Sequence, residues 1–407
     1  MRILILTQYY PPEIGAPQRR LSSLARRLCA MGHEVRVLTA MPNYPEGRVH
    51  AGFRGRFIVR EEREGVPITR VWIWATASHS VVLRLLSYLS FTLAALIAGL
   101  CEWQGADVVL TESPPLFLGA TGRCLAWTKR AAFVLNVADL WPRAAVEMGV
   151  VKSRPLIAAA AWLERWLYRG AALVMTQTEG MRREIAMVAG DKTLLFENGV
   201  DLEVFRPEAA EPARLAALGL GGRFVVGYAG LHGTSQELDV VVAAARRLGE
   251  GSGTTFALFG DGPEKSRLMA DAREVSAVRF LAPQPAQAMP ALVAAWDAGV
   301  VTLRDLPMFE AARPSKMFEI MGAGVPLLLA ARGEAARIVR DADCGIVVDP
   351  GDAQALADAV LRLRDEPALR ARLGSNGRRY AERHLDRGRI AERVAAALEQ
   401  AIATRIR

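Results

Sequence analysis

The sequence predicts an α/β protein made of two doubly wound domains, each a mostly parallel sheet covered on both faces by helices. Three observations carry that expectation. The chain has 407 residues, more than one ordinary core accommodates. Short apolar runs alternate with segments of helical period. That alternation stops near residue 200 and restarts at Phe224. The expected divisions are 1–203, 204–386 and a C-terminal helix over 387–407.

In the first half, Arg2–Leu6 is an apolar strand, and Arg19–Met31 repeats Leu21, Leu24, Ala25 and Leu28 at helical spacing. Glu34–Leu38, Asp107–Leu110, Ala132–Val137 and Leu173–Thr176 read as further strands. Strands with no polar alternation are those buried on both faces. Glu197–Leu220, broken by Pro207 and Pro212, reads as the linker. The second half gives strands at Phe224–Tyr228, Thr255–Phe259, Val278–Phe280, Ala298–Leu303, Val325–Leu329 and Gly345–Val348. Helices fall at Leu238–Leu248 and from Glu264 to Ala270. The Ala/Arg-rich helix Arg387–Arg405 is long enough to cross back to the first domain. Two such domains are expected to face a central cleft at the carboxyl ends of their strands. No GxGxxG follows the first strand, so no standard dinucleotide pocket is expected there. Gly260-Asp261-Gly262-Pro263 reads as a turn closing a nucleotide pocket.

The formal net charge of +8 points to anionic partners. No Lys/Arg run with interleaved aromatics is present, so nucleic acid is not among them. Cys29, Cys101, Cys124 and Cys344 are scattered with no CxxC pair, which argues against a zinc site or disulfide framework. MRILIL is followed at once by polar TQYY and reads as a core strand rather than a signal peptide, so a cytoplasmic location is expected. Leu85–Cys101 carries no charge and is bracketed by Arg84 and Glu102. It lies at the short limit for a bilayer span. Two readings stay open: a helix buried against the sheet, or one that dips an apolar face into the inner leaflet of an anionic membrane.

The stretch RPSKMFEIMGAGVP, Arg313 to Pro326, describes a short helix with Pro314 in its first turn and a stop at Gly324 and Pro326. Lys316 and Glu319 share a face at i and i+3. The free N–H groups of the first turn, including that of Ser315, together with a cation and an anion, suit a phosphate and a sugar hydroxyl. A surface helix with one ion pair fits the same residues.

Taken in order, YYPPEIGAPQRR, GHEVRVLTAMPNYPEG, VADLWPRAAVEMG, FENGVDLEVFRP, VVGYAGLHG, ALFGDGPE and RPSKMFEIMGAGVP resemble the family 4 glycosyltransferases of GT-B fold. The branch they resemble makes bacterial surface polysaccharide, such as capsule or O-antigen, and includes fucosamine and colanic-acid transferases. The resemblance covers nearly the whole chain. It implies transfer of a sugar from a nucleotide-diphosphate donor, commonly UDP-linked, with retention of configuration and without a metal or other cofactor. It also implies a second domain that binds the donor and a first that binds the acceptor, often a polyprenyl-diphosphate lipid.

By that resemblance Glu319 matches the second of two paired glutamates and holds the ribose hydroxyls. The first of the pair falls on Ala311, with Glu310 one residue away, so a sugar-contacting role for Glu310 departs from the pattern. The Arg and Lys that many relatives carry after the second domain's first strand are missing from Gly230-Leu231-His232-Gly233-Thr234-Ser235-Gln236-Glu237. Lys316, with Arg304 and Arg313 nearby in sequence, is the replacement expected to take up diphosphate charge. Gly230 and Gly233 allow close backbone approach to phosphate, and His232 reads equally as ligand or loop residue. Gly15 offers a backbone N–H to the donor, and Glu13 and Arg19 are candidates for the acceptor. Asp139 stands where relatives place a histidine, and serves either a substrate hydroxyl or a helix N-cap. Asn198-Gly199 reads as hinge chemistry. The rival functions are a sugar-nucleotide 2-epimerase of the same architecture and a catalytically silent nucleotide-sugar-binding subunit.

Overall fold

The computed structural model describes residues 1–13, 15–78, 80–102, 105–141, 143 and 153–406. The chain forms two compact units: residues 1–198 with 388–407, and residues 199–387.

The first unit is built on eight strands: β1 (Arg2–Leu6), β2 (Glu34–Ala40), β3 (Ile58–Arg63), β4 (Val66–Val71), β5 (Val108–Ser113), β6 (Ala132–Val137), β7 (Leu173–Thr176) and β8 (Thr193–Leu195), in the order β3-β4-β2-β1-β5-β6-β7-β8. All neighbours are parallel except β3 and β4, an antiparallel hairpin at one edge. Three of these strands were not expected. β3, IVREER, is mostly charged and open at the edge, while β4, VPITRV, is largely buried behind it, so the charges of β3 hide the apolar period of the hairpin. β8 is only three residues long. Helices α1 (Ala16–Ala30), α2 (Val81–Glu102) and α3 (Leu116–Thr128) connect the strands. Ile3 and Ile5 face one core layer, with Leu21, Leu24 and Leu28 of α1. Leu4 and Leu6 face the other, with Phe91 and Ala95 of α2 and Leu118 and Leu125 of α3.

The second unit carries β9 (Phe224–Ala229), β10 (Thr254–Phe259), β11 (Val278–Leu281), β12 (Ala298–Thr302), β13 (Leu327–Ala330) and β14 (Gly345–Val348), parallel throughout, in the order β11-β10-β9-β12-β13-β14. Helix α4 (Ser315–Gly322) lies between β12 and β13 in the chain. Helix α5 (Arg387–Ile406) returns to the first unit, where Ile390, Val394 and Leu398 are buried with the α1 face of the sheet.

Most of the stretch read as a linker belongs to the second unit. Val200, Leu215 and Leu220 are buried in its core, and Pro212 starts a helical turn, Pro212–Ala217, instead of breaking one. The strand expected from Val325 begins at Leu327, because Gly324 and the residues after it close α4. Pro314 sits at the N-cap with φ −57° and ψ 122°, one residue before the helix and not within its first turn.

Candidate functional site

In each sheet the strand order reverses next to one central strand, and the loops at the carboxyl end of such a strand bound the crevice where open α/β sheets bind ligands. In the second unit that strand is β9, between β10 and β12. Its loop starts at Gly230, whose φ of 151° is a glycine conformation. A Cβ on Gly230 would lie 2.8 Å from the Lys316 Nζ, so the missing side chain is what lets the ammonium reach this backbone.

Lys316, in the first turn of α4, donates from Nζ to the Tyr228 hydroxyl at 2.7 Å and stands 4.0 Å from the centre of the Tyr228 ring. The Tyr228 hydroxyl in turn donates to the Leu231 carbonyl at 2.7 Å. The ammonium is therefore tied through a neutral phenol to the glycine-rich loop. Burial brings the Lys316 pKa from 10.5 down to about 8, against the upward pull of Glu319. Met317, Phe318, Ile320 and Met321 bury the other face of α4 and fix the direction in which Lys316 and Glu319 point. Ser315 opens the helix, no side chain caps its first turn, and Arg313 lies over the Phe318 ring.

The loop after β10 stacks on the loop after β9. The His232 N–H donates to the Asp261 carbonyl at 2.9 Å and Glu264 N–H to the His232 carbonyl at 3.0 Å. A Cβ on Gly260 would strike the Gly230 carbonyl, and one on Gly262 the His232 carbonyl. GDGP is thus a turn packed against the β9 loop. The His232 ring is fully buried between Tyr228 and Phe280, and neither ring nitrogen has a hydrogen-bond partner among the described residues. Burial, with Lys265 and Lys316 nearby, lowers its pKa, so the imidazole is neutral. Gly233 is buried in the same loop. Arg304 is brought to the far end of that loop: its N–H donates to the Ser235 carbonyl at 3.0 Å, and its charge acts on Glu237. Glu310 is exposed, and its backbone is pinned by the Glu334 N–H donating to its carbonyl at 2.7 Å. Ala311 beside it is exposed as well.

In the first unit the central strand is β1. Gly15, extended at φ −179°, is the N-cap of α1 and accepts from the Arg19 N–H at 3.1 Å. Arg19 is exposed. Glu13 is not: only 3% of its surface is open, and its carboxylate accepts from the N–H groups of Tyr10 at 3.1 Å and of Asn43 and Tyr44 at 2.8 Å each. It fastens the β1 loop to the β2 loop. Asp139 is exposed just beyond β6. Pro142 and residues 144–149 of the VADLWPRAAVEMG motif lie outside the described residues.

Two family models match in tandem, one described as a glycosyl transferase 4-like domain over residues 15–199 and one as glycosyl transferases group 1 over residues 216–380. The chain is 27% identical over 405 residues to WcaI of Escherichia coli (strain K12), named for glycosyl transfer in colanic acid biosynthesis, covering 96% of this chain and 98% of that one. The chain belongs to the family 4 glycosyltransferases of GT-B fold. Its fold is similar to that of HepE from Anabaena, solved in complex with UDP, at a TM-score of 0.72 with 19% identity over 98% of this chain and all of the other. It is also similar to sucrose-phosphate synthase from Thermosynechococcus elongatus, at a TM-score of 0.74 with 17% identity over 99% and 100% of the two chains.

Sequence reading missed two features of this glycosyltransferase. One is Tyr228, the partner of Lys316, which looks like one more apolar strand residue. The other is a charged group inside the first unit. Arg20 of α1 donates to Glu112 of β5 at 2.7 Å and to the Asn198 side-chain carbonyl at 2.8 Å, and Asn136 of β6 donates to the second Glu112 oxygen. Arg20 and Glu112 are both buried, and burial moves each toward its neutral form while each holds the other charged. The available signal was an acid inside VVLTES and an arginine on the apolar side of α1.

Proposed function

We propose that this glycosyltransferase moves a hexosyl or N-acetylhexosaminyl group from a UDP-sugar, with retention of configuration, to a lipid-linked acceptor in cell-surface polysaccharide synthesis. The observation that carries the donor half is the half-buried Lys316 ammonium, held against Tyr228 beneath the backbone of Gly230 and one helical turn from Glu319. In this reading Glu319 accepts from the ribose hydroxyls, and Lys316 with the N–H groups of Gly233 and Ser315 receives the diphosphate, while Gly230 and His232, whose own N–H groups donate to the Phe259 and Asp261 carbonyls, shape the loop that lets it approach. Charge grows on the diphosphate as the bond to the sugar loosens, and a preorganised cation in a dry site stabilises it most at that moment. The leaving phosphate oxygen takes the proton of the attacking acceptor hydroxyl, so no separate general base is required. No resident metal is invoked. Within the second unit Arg304 and Glu310, and within the first Asp139 and Arg19, are exposed for contacts to sugar or acceptor. Glu13 acts through the loops it fastens and is a positioning residue.

Descent from a family with members in colanic acid synthesis and a fold neighbour solved with UDP support the donor and pathway class. The test is calorimetric binding of UDP, GDP and ADP to wild type, Lys316→Ala and Glu319→Ala. UDP is expected to bind best, and each substitution to weaken it tenfold or more, the loss typical of a charge-assisted contact. Unchanged binding in both variants sinks the assignment.

A further inference from the structure

Helix α2 leaves one side of its length open on the first unit's sheet face. Over Val81–Cys101 its mean hydropathy is 2.0, yet only 22% of that window is buried. The exposure has a pattern. Val82, Leu86, Leu89, Leu93, Ile97 and Leu100 are 44–65% exposed. At about 100° per residue these six positions fall within roughly 80° of arc, a stripe about 27 Å long. Phe91, Ala95 and Ala98, on the opposite side, are buried in the sheet core. The buried side rules out a span, because a helix leaving for the bilayer would strip Phe91 and Ala95 from the sheet. The outer side rules out a core helix, because its six apolar side chains are 44–65% exposed.

The flanks of the stripe are aromatic and basic. At its C-terminal end α3 runs alongside, with the Thr121 hydroxyl donating to the Thr92 carbonyl at 3.2 Å and Leu125 against Gly99. That register sets Trp127, 77% exposed, and Lys129 level with Leu100 and Cys101. On its other side the Trp74 N–H donates to the Ser90 hydroxyl at 2.9 Å. Trp74 and Trp72 line a groove of about 460 Å³ with Arg48, Arg54 and Arg56. None of these three arginines is in an ion pair among the described residues, and all three are exposed. Near the N-terminal end of α2, Arg84 and Tyr88 act on Tyr9 of the β1 loop, so the stripe begins at the ligand-binding edge of this unit.

We propose that α2 lies in the plane of an anionic lipid bilayer, with its outer stripe among the acyl chains and the Arg48–Arg54–Arg56 groove on lipid phosphates. Charge complementarity selects this occupant. An unpaired arginine cluster walled by tryptophans and joined to an uncharged helical stripe matches the phosphate-to-acyl boundary of a leaflet, where tryptophan and arginine settle. The proposal rests on the membrane-side acceptor of the preceding section only for its purpose, since docking is read without donor or turnover.

The test is flotation of the full-length protein with phosphatidylcholine vesicles, with and without phosphatidylglycerol. Wild type is expected to float with the anionic vesicles. Leu89→Glu with Leu93→Glu, both at open positions, is expected to abolish flotation with an unchanged circular-dichroism melt. Arg48→Gln, Arg54→Gln and Arg56→Gln together are expected to lower partitioning onto anionic vesicles roughly a hundredfold and leave neutral vesicles unaffected. All variants should bind UDP like wild type, so loss of flotation is separable from loss of the donor site. Wild type that does not float overturns the proposal. So does a wild-type dimer that the leucine variant converts to monomer, because a second copy would then cover the stripe. Flotation unchanged in both variants overturns it as well.

Discussion

Each unit holds a basic side chain beside its central strand, fully buried in the first and half-buried in the second, and the two are treated in opposite ways. In the first, Arg20 meets the full charge of Glu112 at 2.7 Å and a carbonyl of Asn198, with Asn136 completing the carboxylate. In the second, Lys316 has a neutral phenol and the face of its ring, with Glu319 adding a field one turn away. A buried cation whose counter-charge is built in is part of the scaffold. One held chiefly by an aromatic ring is stabilised incompletely, and its lowered pKa expresses the deficit. In the proposed function an arriving diphosphate would remove that deficit, which sets the proposed binding charge apart from the structural one.

The sharpest way to break this contrast is to delete one partner from each. Glu112→Ala leaves Arg20 charged and buried, and is expected to cost about 3–5 kcal/mol of stability in urea unfolding. Replacing both by methionine should recover most of that loss, because an apolar pair of similar volume escapes desolvation. Lys316→Met should behave otherwise. Removing an under-compensated, half-buried cation at pH 7 is expected to raise stability by about 1 kcal/mol while UDP binding falls. A Lys316→Met protein as destabilised as Glu112→Ala would erase the distinction and return Lys316 to the scaffold.

The architecture was readable because both sheets are nearly all parallel. Strands such as β1 and β10 are continuous apolar runs that can sit only between two helical layers. The edge hairpin β3–β4 was not readable, since half of it faces water and its charges mask the strand period. At the candidate site, helix spacing put Lys316 and Glu319 on one face, and the roles expected of them came from the family resemblance. What that spacing omits is the third dimension. Tyr228 lies 88 positions from Lys316 and Glu112 lies 92 from Arg20. Glu13 looked like a loop acid open to substrate, and only the folded loops bring the N–H groups of Asn43 and Tyr44 to its carboxylate.

A smaller effect sharpens the comparison through pH. Lys316 has a folded pKa of about 8 against an ordinary 10.5. Between those values the unfolded chain binds more protons than the folded one, so this group makes stability rise with pH from about 8 to 10.5 and contributes no pH dependence below about 8. Bound diphosphate favours the charged ammonium and lifts its pKa, so the Lys316-dependent part of the proton uptake on UDP binding should be about half a proton at pH 8 and almost none at pH 6, the terminal phosphate of UDP titrating separately at about 6. UDP affinity should accordingly fall as pH rises through 8, by at most about tenfold per pH unit. Calorimetry in two buffers of different ionisation enthalpy reads the uptake directly, and Lys316→Met should abolish it. Uptake that persists in that variant would assign the proton to another group. No uptake in wild type would mean that diphosphate and Lys316 do not meet. Arg20 provides the internal control: its partner is already in place, so Arg20→Met with Glu112→Met should leave the proton uptake of UDP binding unchanged.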